Sequence, residues 1–135
     1  MTIESSVIFF PCKNIQKTHH FYHTIVGLPV AQIQNNGQLY IYDTGYGYIG
    51  FCQYDDGRLI PSGKKGMCIS FNCPDEHAVD ALFLQMTNKG AEVIAPPTRH
   101  KTFPVYSCFF RDPDDYCVEF QRILEGAELT GGRIK

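Results

Sequence analysis

The chain has 135 residues, 44% apolar and 19% charged, with no tryptophan; the length suits one domain large enough to bury a core without a metal or disulfide staple. Twelve basic residues stand against 14 acidic ones, a net charge of -2 spread without blocks, which speaks against a nucleic-acid or anionic-membrane surface built on bulk charge. No apolar run approaches a membrane span, and the opening Met1-Thr2-Ile3-Glu4 has no basic segment leading into an apolar one, so the sequence predicts a cytoplasmic chain without an export signal.

In chain order, Val7-Ile-Phe-Phe-Pro-Cys-Lys13 reads as a first strand. Asn14 follows as a helix cap, and Ile15, Thr18/His19, Tyr22 and Ile25/Val26 recur at helical spacing until Gly27 stops the run. Strands are predicted at 29–34, 38–42 and 48–54, divided by Asn35-Asn36-Gly37 and by Asp43 to Gly47. The segment 55–66, with Gly57, Pro61, Gly63 and Gly66, reads as a connection. The pattern then begins again. Shifted by 61 positions, Ile8 meets Ile69, Phe10 meets Phe71, Cys12 meets Cys73 and Asn14 meets the second cap, Asp75. Val79, Leu82, Phe83 and Met86 mark a second helix stopped by Gly90, and strands are predicted at 91–94, 105–111 and 116–122. Each half is therefore β-α-β-β-β. The predicted fold class is α+β, with module one at about 6–54, module two at about 67–123 and a polar tail at 124–135. One such module cannot bury both its helix and its sheet, so the two are expected to form a single domain.

The six cysteines, at 12, 52, 68, 73, 108 and 117, include no CxxC pair. All but Cys68 lie in apolar or aromatic runs, where a thiol acts as a small buried hydrophobe, so free cysteines are expected rather than bridges or a metal cluster. His19 and His23, four apart on the first helix, lack the glutamate of HExxH; His19 is expected to pack beside Tyr22, and His20 and His23 to face water. Arg99-His100-Lys101 reads as a solvated loop that could gate a pocket or meet an anionic ligand.

Two segments carry a resemblance. Phe110-Arg-Asp-Pro-Asp-Asp-Tyr-Cys-Val-Glu-Phe120 resembles the F-x-D-P-D-G-N-x-x-E-L signature of the vicinal oxygen chelate superfamily, which includes glyoxalase I, bleomycin-resistance proteins and extradiol dioxygenases. Asn14 to Val30 is similar to that family's first helix, D-x-x-x-S-x-x-F-Y-x-x-x-L-G-L. Within the signature, Pro113 presets the second position of a turn that Asp112 can cap, and Asp115 replaces the usual glycine.

The resemblance implies two tandem βαβββ modules forming one curved mixed sheet around a central cavity. It also implies four metal-ligand positions, in the first and last strand of each module. Carried over, these are Val7, a position near Phe51 onto which Gln53 could slide, Cys68 and Glu119. Only Glu119 keeps a customary ligand. A metal, if held, would fall to Glu119, Cys68 and Gln53, a mixed donor set without imidazole that suits none of Zn²⁺, Fe²⁺ or Mg²⁺. Strand alternation turns Val7, Phe9, Cys68, Ser70, Asn72, Cys117 and Glu119 toward the cavity, and Ile8, Phe10, Ile69, Phe71, Val118 and Phe120 toward the helices. Tyr40, Tyr42, Tyr48, Phe51 and Tyr106 on flanking strands offer an aromatic lining, the alternative being that they are core. The expected ligand pocket is thus Val7, Phe9, Phe51, Gln53, Cys68, Ser70, Tyr106, Cys117 and Glu119.

The expectation is a metal-independent small-molecule-binding protein without cofactor, resembling the bleomycin-resistance branch, homodimeric as the resemblance implies, with no nucleic-acid or membrane partner. The alternative is a lyase, isomerase or dioxygenase of the same superfamily that uses Glu119 as base or metal ligand.

Overall fold

The computed structural model describes residues 2–55, 63 and 65–127; residues 56–62 and 64 of the expected connection and 128–135 of the expected tail lie outside them. The chain divides into two compact units, 1–64 and 65–135, each carrying one βαβββ module. The α+β, two-module class holds. The strand hydrogen bonds run within each module, so the strands form two four-stranded mixed sheets.

In module one, β1 (Val7–Pro11) leads to the helix α1 (Ile15–His19), which continues as a π-helical stretch His20–Ile25. The Asn14 side chain accepts from the amides of Gln16 and Lys17, as its capping role predicts. Gly27 ends the helix at φ 95°, a left-handed conformation that glycine takes without cost. The strands β2 (Val30–Gln34), β3 (Leu39–Asp43) and β4 (Tyr48–Cys52) follow, in the sheet order β1-β4-β3-β2 with β1 and β4 parallel. The covered face holds Phe10, Tyr42, Ile49 and Phe51 against Ile15, Tyr22 and Ile25 of the helix, all buried. Phe51 stacks on Tyr22 at 4.3 Å and on Phe10 at 5.2 Å between ring centres. Ile8, in phase with Phe10, departs from the expected core layer and stays 56% exposed.

Module two repeats the plan with β5 (Cys68–Asn72), α2 (Glu76–Asn88), β6 (Glu92–Arg99), β7 (Val105–Arg111) and β8 (Cys117–Ile123), in the order β5-β8-β7-β6. Asp75 caps α2 through Ala78 N–H, and the amides of Gly90 and Ala91 close onto the carbonyls of Thr87 and Met86. Ile69, Val79, Met86, Cys108, Phe110, Val118 and Phe120 form the core. β6 runs five residues beyond its predicted end and contains Pro96-Pro97. It tolerates them as an edge strand, because the pairing with β7 slips between Val93 and Ala95 and again between Ala95 and Thr98, and prolines need donate nothing there.

The turn from β7 to β8 is built as the sequence implies. Asp112, buried, accepts from the amides of Asp114 (2.8 Å) and Tyr116 (2.9 Å), while Asp115 takes the left-handed conformation at φ 66° where the family pattern has glycine. No disulfide joins the six cysteines. Cys12, Cys52 and Cys108 are buried, Cys73 and Cys117 half-buried and Cys68 exposed, so the expectation of burial fails for Cys73 and Cys117.

Candidate functional site

The parallel pairing of β5 with β8 sets three cross-strand rungs on the sheet face turned away from α2: Cys68 opposite Cys117, Ser70 opposite Glu119 and Asn72 opposite Gln121. Each rung is closed by side chains. The thiols of Cys68 and Cys117 lie 3.4 Å apart, the Ser70 hydroxyl donates to Glu119 Oε1, and Gln121 Nε2 donates to Asn72 Oδ1 at 3.0 Å. Partial burial, then the hydrogen bond and charge of Cys117, push the Cys68 thiol up to about 12.

Cys68, Glu119 and Gln121 of this ladder line a concavity of about 470 Å³ together with His100, Phe103, Pro104, Val105, Phe109 and Ile123, while Ser70 and Cys117, also expected in the pocket, are not among its lining residues. Ligand pockets span about 300–1,000 Å³, so this volume is large enough to hold a small molecule. Its chemistry is one carboxylate, one thiol, an amide and an imidazole set among apolar side chains. His100 Nδ1 accepts from the amides of Thr102 and Phe103, so a proton on the neutral ring sits on Nε2. The expected loop role for Arg99-His100-Lys101 divides: Arg99 pairs with Glu76 of α2 at 2.5 Å, while His100 lines the concavity.

In module one, Phe9 lines a smaller hollow of about 240 Å³ with Asn35, Leu39, Cys52, Gln53, Tyr54 and Asp55. Val7 lies on the same face of β1 as Phe9, both more than a third exposed.

The expected ligand positions need correction. Val7 pairs with Tyr48 and Phe9 with Gly50, just as Cys68 pairs with Cys117 and Ser70 with Glu119. The counterpart of Glu119 is therefore Gly50, neither Phe51 nor Gln53. A slip of one residue moves a side chain to the opposite sheet face. Phe51 accordingly lies fully buried in the helix-side core. Gln53 shares that phase, and its side-chain oxygen accepts from the amide of Ile15 at 2.9 Å, tying β4 to the start of α1. A Cβ at Gly50 would stand 2.6 Å from two atoms of the Phe9 ring, a 41% exposed side chain that would have to turn aside to admit it.

Tyr106 is a second correction. It belongs to the helix-side phase of β7 with Cys108 and Phe110, and its hydroxyl donates to Asp80 of α2 at 2.6 Å. Phe109, directly opposite Glu119, takes its place on the concave face. Tyr40 and Tyr42 also belong to a packed cluster rather than a lining, with Tyr40 4.2 Å from the His19 ring. His19 packs as expected: its Nδ1 meets Tyr42 Oη at 2.7 Å, and its ring stacks on His23 at 4.9 Å. Burial, followed by the neighbouring His23 and His20, lowers its pKa. His23 is exposed but bonds the Leu28 carbonyl through Nδ1, latching the helix end.

The donors at the four equivalent positions, Val7, Gly50, Cys68 and Glu119, do not fit a bound metal ion. Two have no side-chain donor at all, and the others pair a soft thiol with a hard carboxylate. Among the described residues, no group of three or more His, Cys, Asp or Glu side chains is placed to hold a metal. No helix among them is long and apolar enough to cross a membrane.

Sequence alternation could have found Phe109 and Gln121, both in phase with Glu119 once β7 and β8 are paired. Phe103 and Pro104, which sit between strands, gave no periodic signal.

Solved structures share this architecture. A glyoxalase/bleomycin resistance protein/dioxygenase family enzyme from Burkholderia phytofirmans PsJN superposes with a TM-score of 0.74 at 23% identity, covering 88% of this chain and 98% of that one. A glyoxalase-related enzyme from Fulvimarina pelagi gives 0.73 at 15% identity over 98% and 100%. Lactoylglutathione lyase from Agrobacterium tumefaciens gives 0.69 at 19% identity over 94% and 98%. These likenesses concern the fold. No curated protein matches the sequence. The sequence pattern of the Glyoxalase/Bleomycin resistance protein/Dioxygenase superfamily matches residues 6–120, most of the chain. The chain belongs to that superfamily.

Proposed function

We propose that this chain is a metal-independent small-molecule-binding protein, comparable to the bleomycin-resistance members of its superfamily, and that its ligand occupies the module-two concavity. One observation carries the reading: the position equivalent to Glu119 in module one is Gly50, beside the Phe9 ring, so module one offers no carboxylate there. In module two, Glu119 is engaged by Ser70 and faces Phe109, which suits fixing a polar group on an otherwise apolar ligand.

The test uses 8-anilinonaphthalene-1-sulfonate as an apolar probe on chelator-treated, ¹⁵N-labelled protein. Saturable amide shifts centred on Phe109, Glu119, Gln121 and Ile123 are expected. Unsaturable binding, or shifts confined to other residues, overturns the placement. The Glu119–Ser70 pair also supports the enzymatic alternative, with Glu119 as base. Turnover of the methylglyoxal–glutathione hemithioacetal by metal-free protein, lost in Glu119→Gln, would install that reading instead.

The same proposal includes a homodimer, in keeping with the exposed Val7, Ile8 and Phe9 of β1, and sedimentation at the monomer mass would remove it. A cytoplasmic setting accords with six cysteines free of bridges, and a net charge of -2 accords with the absence of a nucleic-acid or anionic-membrane partner.

A further inference from the structure

We propose that Cys68 and Cys117 form a redox dithiol that closes to a disulfide by exchange with a low-molecular-weight disulfide such as oxidised glutathione. The inference stands whether or not the concavity binds a ligand.

The geometry supplies the pair. Cys68 and Cys117 are direct register partners on the parallel strands β5 and β8. Neighbouring strands lie about 4.8 Å apart, inside the roughly 4.4–6.8 Å window between Cα atoms that a disulfide spans. The sulfurs, 3.4 Å apart, need to approach by about 1.4 Å to reach bonding distance, a movement within reach of χ1 rotation at both residues. Both side chains share the open face of the sheet, Cys68 exposed and Cys117 half-buried, so a small reagent can reach them.

The fold does not require thiols at these positions. Module one builds the same rung from Val7 and Tyr48. The other cysteines differ in setting: Cys12, Cys52 and Cys108 are buried, and Cys73 lies in phase with the helix-side residues Ile69 and Phe71.

The exchange balances in two steps. One cysteine thiolate attacks a sulfur of the reagent disulfide, whose S–S bond breaks to release one thiolate and leave a mixed disulfide on the protein. The second cysteine thiolate then attacks the protein-bound sulfur, forming the Cys68–Cys117 bond and releasing the second reagent thiolate. The two cysteine sulfurs together lose two electrons, the two reagent sulfurs gain them, and the two cysteine protons end on the released thiols. The bond would lie one rung from the Ser70–Glu119 pair, at the wall of the concavity that Cys68 lines. Exchange proceeds through thiolates, so the reaction is best followed over hours in mildly alkaline buffer.

The experiment equilibrates the full chain in graded mixtures of reduced and oxidised glutathione, quenches with acid, alkylates under denaturing conditions and maps the peptides without reduction. Closure predicts loss of two hydrogens from the intact mass, four alkylatable thiols in place of six, and a Cys68–Cys117 cross-linked peptide. Cys68→Ser should leave Cys117 carrying one glutathione, whereas Cys73→Ser should close like the wild type. Persistence of both thiols even in excess oxidised glutathione without the reduced form overturns the proposal. So does accumulation of glutathione adducts without closure, or a cross-link that joins other cysteines. The wild-type mapping decides alone if a variant fails to fold.

Discussion

Asp112 ties the fold to the candidate site, because its turn joins β7 to β8 and so sets Phe109 opposite Glu119. Its buried carboxylate accepts two backbone amides, those of Asp114 and Tyr116, through a single oxygen. Asp112→Ala removes the acceptor and strands both donors. An unsatisfied buried donor costs about 1–3 kcal/mol, and some solvent reaches a turn, so the expected loss of stability is about 2–4 kcal/mol. Asp112→Asn keeps a carbonyl oxygen in the same place but gives up the charge assistance, which roughly doubles such bonds, and should cost only about 1 kcal/mol. Urea unfolding followed by circular dichroism at pH 7 measures both, with the midpoint expected to fall at unchanged slope. A loss below about 0.5 kcal/mol for alanine, or equal losses for the two variants, would show that these two hydrogen bonds do not hold the turn.

Gly50→Ala pushes a methyl group toward the Phe9 ring, which is 41% exposed and can turn aside, so the same unfolding assay should show a loss of no more than about 1 kcal/mol; a loss of about 3 kcal/mol would show that the ring is fixed against this glycine. Phe109→Ala should weaken binding of 8-anilinonaphthalene-1-sulfonate by fluorescence titration, whereas Tyr106→Phe, altered on the helix side, should leave it unchanged. The reverse pattern would contradict the assignment of the two faces of β7. His19 has a native pKa below its ordinary 6.5, so the folded state favours the neutral ring. Its contribution is complete above about pH 6.5 and is lost as pH falls through the native value, since the unfolded chain takes up the proton first. The stability of His19→Gln should therefore fall less steeply than wild type between pH 7.5 and 5, and identical slopes would refute the cause assigned to the shift.

Much of the fold could be read from local chemistry. The 61-residue repeat, the caps Asn14 and Asp75, the stops Gly27 and Gly90, and the Asp112 turn each depend on a side chain or backbone requirement within a few residues. The candidate site depended on strand phase, which is less local. In β4 the aromatic Phe51 drew attention away from Gly50, although the residue without a side chain is the one facing the Phe9 ring. In β7 the amphipathic Tyr106 suits either face, and only the antiparallel pairing with β8 shows that Phe109 stands opposite Glu119. The extension of β6 through two prolines was hidden because its edge position, which makes them tolerable, is a property of the sheet order. The pairing of Cys68 with Cys117 likewise comes from register between strands 49 residues apart in the chain.

The proposed binding without a metal ion stands or falls on elemental analysis of the purified protein. Zinc, nickel, manganese and iron are all expected far below one atom per chain, and one equivalent of any of them, retained through gel filtration, would refute the proposal.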